Sequence, residues 1–300
     1  YDDPLAWELW WKDPATRMIH FIGKDNIPFH AVIFPAMLMG QGDYILADHV
    51  VGNEYLNIFN RQTGQAEKGS KSRGNMISVK WAVEHLPLDA IRYYLCAIAP
   101  ESRDSSFDWD DLMFRYNGEL CDVVGNFIHR SLTMTVKNFE GKIPPAAALD
   151  TEDKAMLAAI PSQVDAIAES LEQFRFRQAL EQFIDLGRKA NVYFDAKRPW
   201  VTRKTDIART GATLHVCCQV VKALCHVMAP FLPDGAQALA EIIGATLPEG
   251  GPEGGPDGWN AAKEPLPAGS PLQTPQVLFP KLDKDRIIEL AGMHERGEAF

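Results

Sequence analysis

The sequence predicts an α/β segment followed by an all-α bundle. Three observations carry this reading. Residues 1–110 hold short apolar runs punctuated by Gly, the pattern of buried strands and short helices. After Asp110 apolar residues recur at helical spacing over long stretches. Beyond residue 246 a Gly/Pro-rich segment ends the helical pattern.

The first strand is Met18–Gly23 (MIHFIG), closed by its glycine. From Ile27 the run AVIFPAMLMG predicts a buried helix ending at Gly40. Ile45–Gly52 and Glu54–Phe59 are predicted strands, and the polar stretch Asn60–Asn75 a loop. No complete sheet fits in this length, so partner strands are expected elsewhere. The helical part opens with a helix over Leu112–Phe139. A second carries Met156, Leu157, Ile160, Val164, Ile167 and Leu171 on one face. A third covers Phe174–Asp195 and a fourth Thr213–Met228. Pro230 and Pro233 precede a last bundle helix to Ile243. That pattern is an up-down bundle over residues 111–246. Residues 247–275 are expected to be a flexible connector. Leu278–Asp283 (LFPKLD) is predicted to dock back as a strand, with a helical tail behind it.

Composition narrows the class. Of 300 residues, 46% are hydrophobic and 23% charged, values of a folded globular chain rather than a disordered one. No run of 18 consecutive apolar residues occurs, so no membrane span is expected. The opening YDDPLAWELWW has no export pattern, and a cytoplasmic location is expected. The five cysteines (Cys96, Cys121, Cys217, Cys218, Cys225) lack paired CxxC spacing and are expected to be buried free thiols rather than metal ligands.

The net charge of −10 argues against indiscriminate nucleic-acid binding. Leu171–Arg209 departs from that balance, with nine Lys/Arg against five Asp/Glu. A local positive face suits one specific polyanion, although a solvated helix face has the same composition.

Three segments carry chemistry. In Lys68-Gly69-Ser70-Lys71-Ser72-Arg73-Gly74-Asn75, two lysines three apart can reach one polyphosphate while small residues let backbone amides approach it. In His20–His30 (HFIGKDNIPFH), a glycine-ended strand admits a ligand, Asp25 can accept from a ribose diol, and His30 follows one helical turn on. Asn126 and Arg130 share one helix face, and Trp200 follows the third helix. Each also has a purely structural reading as a solvated loop, a core histidine or a helix tie.

Taken together, HFIGKDNIPFHAVIFPAMLMG, NEYLN, SKSRG, DAIRYYL, PESRDSSFDWDD and GNFIHR, in this order, resemble methionyl-tRNA synthetases over residues 1–245. These are class I aminoacyl-tRNA synthetases. The resemblance implies the second half of a Rossmann-type catalytic domain (1–110), a helical anticodon-binding domain (111–246), and a connector with a docking tail (247–300). It implies that Lys68 and Lys71 are the catalytic lysines of a KMSKS-like loop, in which Gly69 stands where the family has Met or Phe. Gly23 and Asp25 match ribose positions. Asn53, Glu54 and Tyr55 match the adenine contact, and Ser70, Lys71 and Ser72 the phosphate loop. Asn26, Phe29, His30 and Phe34 match the methionine pocket. Asn126, Arg130 and Trp200 match the anticodon readers.

The implied partners are ATP with Mg2+, methionine and methionine tRNA. The family's HIGH motif does not occur here, and any zinc belongs to its upstream part. The chain alone is therefore expected to be inactive, its parent protein active. The alternatives are a stand-alone tRNA-binding module, or a class I synthetase for another apolar amino acid such as leucine or cysteine.

Overall fold

A computed structural model describes residues 4–70, 74–247 and 256–299. Lys71 and Ser72 lie outside the described residues. The chain packs as two compact units, 1–69 with 99–106, and 70–98 with 107–300. The boundary expected near residue 110 therefore divides differently. α4 (Leu88–Ala97) belongs with the helices because it packs on α8 (Phe176–Lys197) and α11 (Pro233–Ile243).

In the first unit, α1 (Glu8–Trp11) is a single turn, and β1 (Ile19–Gly23) pairs in parallel with β2 (His49–Asn53). The register runs from Ile19↔His49 to Gly23↔Asn53. The strand expected from Ile45 thus begins later. After β1 come a 3-10 turn (Lys24–Asn26), a wide π turn (Phe29–Ile33) and α2 (Phe34–Gln41). Gly42, at φ 109°, stops α2 where a side chain would be strained. β3 (Leu56–Asn60) and β4 (Gln65–Lys68) form an antiparallel hairpin, and β5 (Ser105–Phe107) lies on the other side of β3. The loop expected over Asn60–Asn75 therefore contains a strand. Its QAEK sequence lacks strand formers. The turn chemistry sets it instead: Asn60 Oδ1 accepts from the Gln62 and Thr63 N–H groups, and Gly64 takes φ 67°.

The second unit is helical. α3 (Val79–His85), capped by Ser78, and α4 precede one continuous rod. The rod starts as α5 (Trp109–Arg115), widens into π geometry over Tyr116–Gly125 and returns to α6 (Asn126–Asn138). Then follow α7 (Thr151–Glu172), α8, the short α9 (Pro199–Thr202), α10 (Ile207–Met228) and α11. α10 begins earlier than its apolar pattern suggested, because Asp206 caps it by accepting from the Arg209 N–H. It is long and apolar enough to cross a membrane, but from Thr210 to Met228 it is buried inside this unit. α6, α7, α8 and α11 pack around it. Cys121, Cys217, Cys218 and Cys225 are buried and Cys96 partly so, all as free thiols. Burial pushes the Cys121, Cys218 and Cys225 thiols up to about 12, so they do not ionise near neutrality.

The expected flexible connector is docked over its described part. α12 (Pro256–Lys263) buries Trp259 and Ala262 against α10. Lys222 of α10 donates to the carbonyls of Ala261 and Glu264, both at 2.6 Å, and burial pushes its ammonium down. The side chain of Gln219 bonds both backbone groups of Leu266. Gly/Pro-rich composition hid the three apolar anchors Trp259, Leu266 and Leu272. The predicted strand at Leu278–Asp283 is an irregular docking segment. Phe279 fills a slot against Gly235 and Gly125, while Asn117 bonds Leu282 N–H and C=O. α13 (Lys284–Glu295) follows as expected.

Asp150 and Asp153 form a capping box on α7 and bind cations from elsewhere. Lys197 donates to Asp150, and Arg209 donates to Asp153. Lys197 first, then the Asp153 N–H, holds the Asp150 carboxyl down at about 2 against an ordinary 3.8. Burial opposes ionisation of Asp153, yet donation from Arg209, the Asp150 N–H and Tyr193 outweighs it and holds that carboxyl low as well. Depressed carboxyls stabilise the fold above their unfolded value and lose that contribution as pH falls through the folded one. Melting temperature should therefore drop between about pH 4 and 2, and Asp150→Asn should flatten that slope. At Gly235 an added Cβ would sit 2.5 Å from the Phe279 ring and 3.1 Å from Asp89 Oδ2. Gly235→Ala should cost about 1–3 kcal/mol in a denaturant melt. Gly118→Ala, where a Cβ meets nothing within 4 Å, should not destabilise.

Candidate functional site

Of the predicted nucleotide residues, the first unit places Gly23, Asp25, Asn53, Glu54 and Tyr55 at or just beyond the carboxyl ends of β1 and β2, the register setting Gly23 beside Asn53. A Cβ on Gly23 would meet Asp25 Oδ1 at 2.8 Å, so glycine lets the Asp25 side chain fold over the strand end. Lys24, which the motif reading passed over, forms an ion pair with Glu54 and lies 3.5 Å from Asp104. Asp104 in turn accepts from the Tyr55 N–H at 3.0 Å, and that backbone bond most strongly holds its carboxyl low. Lys24 and Lys68 both stand over the Tyr55 ring, at 4.8 and 4.6 Å from its centre. Glu54, Tyr55 and Lys68 thus share one cationic and aromatic patch with two residues not singled out from sequence. Only the fold brings Asp104 to them.

Asn26 and Phe29 are exposed on the turns after β1. His30 and Phe34 follow one helical turn apart, with ring centres 6.4 Å apart. His20 on β1, also missed in the sequence, lies 5.2 Å from His30 and 5.9 Å from Phe34. The Nδ1 atoms of His20 and His30 are buried with no hydrogen-bond partner among the described residues. Burial first, then the nearby His30, pushes the His20 imidazole below its ordinary value. The chain leaves β1 at Gly23 and turns through Lys24–Asn26 before His30, so strand alternation carries no signal for this pairing and only the fold brings the two rings together.

In the second unit Ser70 is placed by its N–H, which donates to Asn75 Oδ1 at 2.7 Å. The residues that the sequence assigns to the anticodon lie at one end of the bundle. Asn126 is exposed at the start of α6, and Arg130 lies one turn on. The Arg130 guanidinium stacks 4.6 Å from the Phe194 ring centre and 5.5 Å from that of Trp200, and donates to Asp195 at 3.0 Å. Phe194 and Trp200 lie 5.8 Å apart, tilted by 37°. Phe194 is buried and Trp200 half-buried, so the indole rests on a fixed ring and keeps part of its surface open. Phe194 and Asp195 carry no motif signal, because as part of an amphipathic helix they look like core and solvent positions.

The positive stretch is smaller than its sequence count. Lys197 and Arg209 are spent on Asp150, Glu152 and Asp153. Arg198, Arg203 and Lys204 remain exposed around Trp200. Among the described residues no group of three His, Cys, Asp or Glu could hold a metal ion.

Comparison with known proteins gives the family. Residues 1–132 match the family of tRNA synthetases class I (M), and residues 143–295 match the anticodon binding domain of methionyl tRNA ligase. The methionine–tRNA ligase of Salinibacter ruber is 39% identical over 95% of this chain and 41% of its own length. That of Pyrococcus abyssi is 38% identical over 95% of this chain and 39% of its own. The chain therefore spans about two fifths of the length of the curated relatives it matches. Among solved structures, Mycobacterium tuberculosis methionyl-tRNA synthetase in its apo form superposes with a TM-score of 0.76 at 29% identity, over 94% of this chain and 52% of that one. Its complex with methionyl-adenylate gives 0.78 at 31% identity, over 93% and 52%. A catalytic-domain portion followed by the helical reader, matched in sequence and in structure over nearly all of the chain, makes it a member of the methionyl-tRNA synthetase family.

Proposed function

We propose that this chain supplies the phosphate-loop half of the activation site and the anticodon reader of a methionine–tRNA ligase, working in the cytoplasm on ATP with Mg2+, methionine and methionine tRNA. The observation that carries this reading is the half-open indole of Trp200, seated on Phe194 beside Arg130, on the same bundle end as exposed Asn126. Unpaired loop bases are read by that combination: a ring to stack on, with Arg and Asn for their edges. A stand-alone RNA binder would have no use for the cationic patch around Tyr55.

In the activation step a methionine carboxylate oxygen attacks the α-phosphorus of ATP, and the bond to pyrophosphate breaks. Methionyl-adenylate and pyrophosphate result, and no enzyme nucleophile is used. Negative charge grows on the phosphate oxygens, and a fixed cation lowers that barrier. Lys68 is the described cation for this task, and Lys71 is assigned the same task by family position. Asp25 is placed to receive ribose hydroxyls. Asn26, Phe29, His30 and Phe34 are assigned to the methionine side chain, and the buried unbonded Nδ1 atoms of His20 and His30 support a polar contact held in reserve there. The apolar residues left uncovered on α2 and the π turn (Phe29, Val32, Ile33, Met37, Met39) fit an upstream half-domain packing on them.

In the full-length parent, Lys68→Ala should cut ATP–pyrophosphate exchange by about 10²–10³. Trp200→Ala should lower kcat/KM for methionine tRNA by about five- to 150-fold, the worth of one stacked base, with exchange unchanged. Equal losses in both assays would remove Trp200 from the RNA site. Charging an anticodon-swapped tRNA as well as methionine tRNA would remove the anticodon reading itself.

A further inference from the structure

We infer that the carboxylates of Asp150 and Asp153 act as positioning residues for the base-stacking indole, holding both roots of the turn that carries Trp200. The inference rests on the reading of Trp200 as a base platform. α8 ends at Lys197, and Arg198 breaks it in the left-handed region at φ 48°. Residues 198–206 then carry α9, with Trp200, across to the first turn of α10. The two roots are Lys197 and Arg209, and both reach back to the start of α7. Lys197 Nζ donates to Asp150 Oδ1 and Oδ2 at 2.9 and 2.8 Å, and pairs with Glu152 at 2.6 Å. Arg209 Nη2 donates to both oxygens of Asp153 at 2.5 Å, and its Nη1 lies 3.3 Å from Asp150 and from the Ala148 carbonyl.

Asp153 is fully buried and also accepts from the Tyr193 hydroxyl at 2.8 Å, one turn before Lys197. A buried charge with every neighbour aimed at it tolerates little displacement, since a lost donor leaves it unpaired in low dielectric. Inside the turn, Thr202 bonds Thr210 through their hydroxyls at 2.7 Å, and Arg203 Nε donates to the Trp200 carbonyl. The turn is thus fastened at its left root, its right root and its middle. Its direction relative to Arg130 is set by charges on a helix some fifty residues earlier in the chain. The same pairing withdraws Lys197 and Arg209 from RNA, leaving Arg198, Arg203 and Lys204 to meet phosphates.

The test uses the full-length parent, with aminoacylation of methionine tRNA, ATP–pyrophosphate exchange and thermal melting measured for Asp153→Asn, Arg209→Gln, the double variant, Lys197→Met and Lys197→Arg. Asp153→Asn and Lys197→Met should raise KM for tRNA about tenfold, comparable to loss of a stacked base, with exchange unchanged. Lys197→Arg should keep the wild-type KM. The double variant should recover most of the melting temperature lost by Asp153→Asn, because no charge is left unpaired. It should not recover the KM, because the turn stays unfastened. A KM that returns together with the melting temperature would overturn the inference and leave the carboxylates merely structural. A reduced salt slope of tRNA binding in Arg209→Gln would also overturn it, by making Arg209 a phosphate contact. Trp200→Ala run in parallel separates the two failures. If it leaves KM unchanged, the base-platform reading falls and this inference with it. If it raises KM while Asp153→Asn and Lys197→Met do not, only this inference falls.

Discussion

Everything in the helical unit depends on α10 being dry on all sides. From Thr210 to Met228 no residue of it faces solvent, and burying each large apolar side chain contributes roughly 1.5–3 kcal/mol. A helix buried all round cannot choose its neighbours by an apolar stripe, since every direction is apolar. Its polar residues make the choice. His215 bonds the Pro144 carbonyl at 2.8 Å, Gln219 bonds Leu266, and Lys222 caps α12. Each is satisfied by one particular segment, so each assigns one face to one neighbour. Misassembled packings would leave buried donors unpaired at about 1–3 kcal/mol apiece.

The first unit works under the opposite constraint. Its parallel pair β1 and β2 has no strand beyond it among the described residues, and apolar side chains remain open on α2. What holds its functional end is electrostatic: Lys24 gathers Glu54 and Asp104, and Asp104 fixes the Tyr55 backbone. Tyr55 then carries two ammonium groups over its ring. The polyphosphate of the proposed reading would meet cations already held in place. The side-chain entropy of Lys68 is partly spent before binding.

Periodicity made the long helices legible, because apolar spacing over twenty residues is hard to produce any other way. Ordered motifs made the family legible. What stayed hidden were pairings across distance. Lys197 and Arg209 read as part of a positive patch until the fold set them against Asp150 and Asp153. Local composition misled twice. The QAEK segment became β4 through its turn, and the Gly/Pro-rich segment before the tail contained enough buried anchors to dock. His20 and Asp104 were invisible for the same reason as the ion pairs: their significance lies in what packs beside them.

The rod that carries Asn126 and Arg130 has ten residues of π geometry before them, from Tyr116 to Gly125. Such turns hold more residues per revolution than α turns. The angular phase of everything downstream is therefore out of step with an ideal rod. Each residue of an α-helix advances the azimuth by about 100°. Deleting a single residue from Tyr116–Gly125 while the rest of the stretch keeps its winding would swing Asn126 and Arg130 around the axis by roughly that angle. Arg130 would then no longer lie over Phe194, although its sequence surroundings were untouched. Chain length in this stretch is thus a clock setting for the reader. Insertions or deletions here should be far less tolerated than substitutions at the same positions.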